Sequence, residues 1–169
     1  NALMKNISQF VSAGQKLGSI GMMNTSWDDL GEDLFDMGWY SVVYGAACSW
    51  QAGESNENQY RNAFDWAFYR NSGGHQFADG INKLASIHTR LTTIDFNYIY
   101  SNPFSRLGVP TQNYLIKSGL SNQMRLIAED AFMLFKQQQT VSKLHAETAD
   151  ALMFAAKRMD FVFHKALIA

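Results

Sequence analysis

Leu34-Phe35-Asp36-Met37-Gly38-Trp39-Tyr40-Ser41-Val42-Val43-Tyr44-Gly45-Ala46-Ala47-Cys48-Ser49-Trp50 decides the fold. Drawn as a helix, this stretch carries apolar side chains almost all round its circumference. Such a helix is expected to be buried on every side. From Leu34 to the C-terminus the helical period is interrupted only by turn signals, near 51–54, 71–74, 93–111 and 139–141. The predicted fold is therefore mainly α, a helical domain with five or six helices. At most one or two short strands are expected, near the N-terminus at residues 18–26.

Toward the N-terminus, Leu3, Ile7, Phe10, Val11 and Leu17 recur near one face, which predicts an amphipathic helix over Leu3–Lys16, stopped by Gly18. Gly18–Ser26 reads as a buried strand. Ile20, Met22 and Met23 are apolar, Gly18 and Gly21 allow close packing, and the run ends in polar residues. A lone strand leaves its backbone groups without partners. Together with the start at Asn1-Ala2, which lacks an initiating Met, this suggests a C-terminal piece of a longer protein.

Toward the C-terminus, Ser55 is the expected N-cap of a helix reaching Tyr69, with Tyr60, Phe64, Trp66 (or Ala67) and Phe68 inward. Asn71-Ser72-Gly73-Gly74 is a turn. Gln76–Thr92 follows as a helix with Phe77, Ile81, Leu84, Ile87, His88 and Leu91 on its stripe. Residues 93–111 hold both prolines and read as a long connection, the expected subdomain boundary. Two long helices close the chain: Thr111–Gln139, with a break at Ser118-Gly119, and Val141–Ala169. Their short connection predicts an antiparallel pair. On this reading residues 1–53 form a helix–strand–helix unit and residues 54–169 a helical C-terminal region.

With 47% hydrophobic and 17% charged residues the chain is globular rather than disordered. The net charge is −1, split as −5 over residues 1–60 and +4 over residues 61–169. The basic residues are scattered at helical spacing, which describes a solvated face and no nucleic-acid groove. No apolar run reaches membrane-spanning length, so no membrane partner is expected. Cys48 stands alone in an apolar run and reads as a small core residue. His75, His88, His145 and His164 have no His or Cys partner at ligand spacing, so no metal is expected. Phosphate-loop, dinucleotide, calcium-loop and nucleophile-elbow patterns are all missing, so no cofactor is expected.

The stretch richest in chemistry is Trp27-Asp28-Asp29, which closes the expected strand and opens an acidic run through Glu32, Asp33 and Asp36. An aromatic plate beside carboxylates can hold a sugar. The ring covers the C–H face of a pyranose and the carboxylates accept from its hydroxyls. Two plainer readings compete. Asp29-Leu30-Gly31-Glu32 has the spacing of a capping box, and Asp33 and Asp36 would favour the positive end of a helix. Trp27 would then be a core tryptophan.

Gly21-Met22-Met23-Asn24-Thr25-Ser26-Trp27-Asp28-Asp29, followed by Gly38–Trp50, resembles the end of the catalytic barrel of family 20 glycoside hydrolases, the β-N-acetylhexosaminidases. The resemblance spans roughly residues 18–53. It implies a late barrel strand ending in Trp with an acid two residues on, then a helix ending in small residues and Trp. It implies that Trp27 walls the sugar pocket and that Asp29, with Asp28 beside it, binds hydroxyls of the terminal sugar. The family usually has Glu where this chain has Asp29, a reach shorter by one methylene. The family's catalytic Asp-Glu pair lies on an earlier strand, and residues 1–26 contain no acid. The resemblance thus implies a parent glycoside hydrolase acting on N-acetylhexosamine-type sugars. This chain would contribute sugar-binding residues but no catalytic acid, and would be inactive alone. The rival expectation is a non-catalytic helical structural or interaction domain. A barrel end without its neighbouring strands should also expose apolar surface and favour a homo-oligomer.

Overall fold

The computed structural model describes residues 2–27, 34–51, 55–91, 99–100 and 102–168. The fold is mainly α. Among the described residues there are seven helices and no strand. They are α1 (Ala2–Lys16), α2 (Trp39–Trp50), α3 (Glu57–Tyr69), α4 (Gln76–Arg90), α5 (Val109–Lys117), α6 (Leu120–Gln139) and α7 (Thr148–Ile168), with a 3₁₀ turn, Phe35–Gly38, leading into α2.

Glycine ends α1 as its chemistry requires. Gly18 adopts φ 78°. Its N–H donates to Gln15 O at 3.1 Å, and Ser19 N donates to Gly14 O at 2.9 Å. These two bonds make a Schellman motif, which needs a residue at positive φ. Gly119, at φ 69°, likewise separates α5 from α6, at the expected break. Pro110 lies in the first turn of α5, where its missing N–H costs nothing.

The N-cap of α3 falls one residue later than expected. Asn56 Oδ1, not the Ser55 hydroxyl, accepts from Asn58 N at 3.0 Å and Gln59 N at 3.1 Å. Asn56→Ala is expected to cost about 1 kcal/mol, with Asn56→Asp close to wild type. Urea unfolding would check this, and a wild-type midpoint for the alanine variant would refute the capping role.

α6 and α7 pack as the expected antiparallel pair. Arg125 near the start of α6 meets Asp160 at 2.8 Å, whereas Gln139 at its end meets Asp150 at 2.9 Å near the start of α7. α4 lies on the other side of α6, joined by Lys83–Asp130 at 3.2 Å. At their crossing Gly80 sits against the buried Phe135 ring.

α7 starts at Thr148, seven residues later than the period suggested. Residues 140–147 instead dock on the end of α3. Lys143 N and Leu144 N both donate to Tyr69 O, at 3.0 and 3.2 Å. The imidazole of His145, at φ 52°, stacks on Phe68 with ring centres 4.5 Å apart. The Tyr69 hydroxyl meets Thr148 Oγ1 at 2.9 Å in the interior.

One aromatic path crosses the core from α2 to α6. Tyr40 meets Phe64 at 4.8 Å, Phe64 meets Tyr69 at 5.8 Å, Tyr69 stacks on Phe77 at 3.8 Å, and Phe77 faces Phe135 at 6.2 Å. Tyr60 joins it, its hydroxyl donating to Tyr40 O at 2.6 Å. The buried apolar cluster runs from Met4 to Ala166. Large rings bury much apolar area per residue, so this path contributes heavily to stability.

Two expectations of burial are corrected. α2 is not covered on every side: Tyr40, Tyr44, Gly45 and Cys48 are buried, while Ala46, Ser49 and Trp50 are exposed, Trp50 at 92%, and Phe35 in the preceding turn is open. In α3 neither Trp66 nor Ala67 points inward, and the buried residue beside them is Asp65. The Trp66 ring lies at the surface under the Arg70 guanidinium, 4.8 Å away.

Candidate functional site

The segment from Ser19 to Trp27 carries no strand, against the expectation for residues 18–26, and all of it but Met22 is exposed. It lies along α2. A Cβ at Gly45 would stand 2.5 Å from Asn24 Nδ2 and 3.3 Å from Met22 Cε, so the missing side chain at Gly45 seats both residues. Met22 and Asn24, two apart, thus face the same helix. Trp27 Nε1 donates to Thr25 Oγ1 at 3.2 Å, so Thr25 and Trp27, also two apart, share a side as well. Met22 and Asn24 meet α2 at Gly45, while Met23, Thr25 and Trp27 are exposed.

Trp27 is 82% exposed. It takes no part in the core. Asp28, Asp29, Glu32 and Asp33, and with them the expected capping box, lie outside the described residues. Asp36 accepts from Trp39 Nε1 at 3.0 Å and so fixes a ring at the start of α2. That ring in turn lies 5.2 Å from Phe35 and 5.7 Å from Phe68.

At the opposite end of the segment, Phe10, Val11, Leu17, Ile20 and Met22 line an apolar groove of about 430 Å³ against α1. Ile20, Leu17 and Phe10 are open to solvent there. Gln15 Nε2 donates to Gln51 O at 2.8 Å and ties the end of α1 to the end of α2. Among the described residues no group of three or more His, Cys, Asp or Glu is placed to hold a metal ion. No described helix is long and apolar enough to cross a membrane.

Two polar positions escape the pattern of the sequence. Thr25 reads as an ordinary strand residue, and only its bond to the indole distinguishes it. Asp65 sits between apolar neighbours at a helical position that suits a surface charge. It is fully buried, and its carboxylate accepts from the first turn of α4, Phe77 N at 2.7 Å and Ala78 N at 3.0 Å. Burial raises its pKa from the ordinary 3.8 to about 6, although both N–H groups and His75 pull it down. The signal available was the order of residues: an acid twelve and thirteen positions ahead of the N–H groups that open the next helix, with a tight turn between.

Comparison of this chain with protein-family models, with curated proteins and with solved structures found no match.

Proposed function

We propose that this chain is the C-terminal part of a glycoside hydrolase acting on N-acetylhexosamine-type sugars. It contributes Trp27, Asp29 and Asp28 as sugar-binding residues and leaves the catalytic acid to another part of the enzyme. The observation that carries the reading is the presentation of Trp27. The ring is 82% exposed, and its N–H is held by Thr25 on a segment that meets α2 at Gly45. In an α/β barrel the strand ends bear the site. The open Ile20 and Met23 are apolar surface that neighbouring parts of a barrel would cover. Residues 1–53 then close the barrel and residues 54–169 extend it.

The test is kinetic and uses the parent enzyme. Stacking contributes about 0.5–1.5 kcal/mol beyond buried area, and a charged hydrogen bond about 1.5–3 kcal/mol. Trp27→Ala should therefore lower kcat/KM by roughly tenfold. Asp29→Asn should lower it by about one to two orders of magnitude and change discrimination between gluco- and galacto-configured substrates. Wild-type kinetics in both variants would make these residues scaffold. The apolar groove and the open Phe10, Leu17, Ile20 and Trp50 would then favour the second reading, a non-catalytic helical interaction domain.

A further inference from the structure

We infer that Thr25 is the positioning residue of Trp27, holding the indole by its N–H so that the ring offers a ligand only its flat apolar face. The geometry stands by itself; its use for a sugar rests on the reading proposed above. Trp27 Nε1 lies 3.2 Å from Thr25 Oγ1, and the residue is 82% exposed. A tryptophan this open and unsupported would sample several rotamers, and ordering it on binding would weaken affinity. Thr25 restrains it through this bond. Threonine is stiff about its first side-chain torsion, so the hydroxyl keeps one direction.

The same bond narrows the ligand chemistry. An indole N–H already donating to a hydroxyl is not free to donate to a ligand. What is left is the ring face, plus the proton of the Thr25 hydroxyl at the ring's edge, which can donate onward. That pair suits a pyranose with axial hydrogens against the ring and an oxygen at its rim. It does not suit a ligand recognised by an indole donor.

The experiment is an NMR comparison of the ¹⁵N-labelled chain with Thr25→Val and Thr25→Ser, the Trp27 indole signal being assigned with Trp27→Phe. Thr25 is exposed, and unchanged circular dichroism would show that the variants fold alike. The Trp27 indole N–H should exchange with solvent about threefold to tenfold faster in Thr25→Val, the range set by one net hydrogen bond, and near the wild-type rate in Thr25→Ser. Titration with methyl N-acetyl-β-glucosaminide should shift the Trp27 signal, with a Kd about threefold to tenfold weaker in Thr25→Val and restored in Thr25→Ser. Equal exchange rates in all three proteins would overturn the inference whatever the sugar does. Equal Kd values for wild type and Thr25→Val would leave the bond without a positioning role and also overturn it. Slowed exchange with no saccharide shift in the wild type would keep the Thr25–Trp27 pair and reject the sugar-binding reading.

Discussion

Gly80→Ala should destabilise the protein by about 1–2 kcal/mol, even though alanine is the better helix former. The position is helical and lies where α4 crosses α6. An added Cβ would press into Phe135 Cε1 and stand 2.8 Å from Cζ and 3.1 Å from Cδ1. Phe135 is fully buried and faces Phe77 on its other side, so its ring has no open space to swing into. Overpacking of this kind costs about 1–3 kcal/mol and sometimes more. The helix propensity gained on replacing Gly by Ala is at most about 1 kcal/mol. Steric cost therefore wins, and the melting temperature should fall by roughly 2–8 °C in a chain of this size. Phe135→Leu alone should destabilise by leaving a cavity. Combined with Gly80→Ala it should recover much of the loss, because the smaller side chain makes room for the new methyl. A double-mutant cycle with no coupling, or a Gly80→Ala protein as stable as wild type, would show that the helices separate at little cost. Gly45 is the useful contrast. There the close neighbour is the end of Asn24, a flexible and exposed side chain that can move aside.

Asp65 should make stability fall as pH rises from 4 to 7, the reverse of the usual aspartate behaviour. Its folded pKa is raised to about 6, first by desolvation, with Asp79 adding a little; the bonds from Phe77 N and Ala78 N and the charge of His75 offset part of this. An acid whose folded value lies above its unfolded value binds its proton more tightly when folded. Its contribution is therefore complete below 3.8 and lost as pH rises through about 6. The whole window corresponds to about 3 kcal/mol, of which roughly 1.4 kcal/mol separates pH 5 from pH 8. Asp65→Asn, neutral throughout, should flatten this slope. Asp65→Ala should cost about 3 kcal/mol at pH 5, since it strands two buried N–H groups at the start of α4. It should cost less at pH 8, where the wild type bears the desolvated charge. Urea unfolding from pH 4 to pH 8 would measure all three proteins. A wild-type curve parallel to that of Asp65→Asn would mean that Asp65 does not titrate in this range.

What the chain declared about its fold was local chemistry. The 3.6-residue recurrence along Thr111–Gln139 and Val141–Ala169 declared two long helices, and the short link between them their antiparallel pairing. Gly18 marked the end of the first helix and Gly119 the break before Leu120, because glycine takes positive φ without strain. These signals depend on neighbours in the sequence, and the sequence holds them complete.

What was not legible depends on distant atoms. The start of α7 is set by the Tyr69 carbonyl, which takes two N–H groups more than seventy residues further on. Asp65 looked like a surface charge until the first turn of α4 was placed against it. α2 is apolar on all sides, but how much of it is covered depends on which neighbours are present, and in this chain one face stays open. The same holds at the candidate site. Sequence alone picked out Trp27 with Asp28 and Asp29, but a core tryptophan and an open one have the same letter. Only the structure put Met22 and Asn24 against α2 at Gly45 and left Trp27 exposed. The physical reason is that backbone preference and hydrophobic period act over a few residues, whereas burial and hydrogen-bond partnership are settled only when separate elements meet.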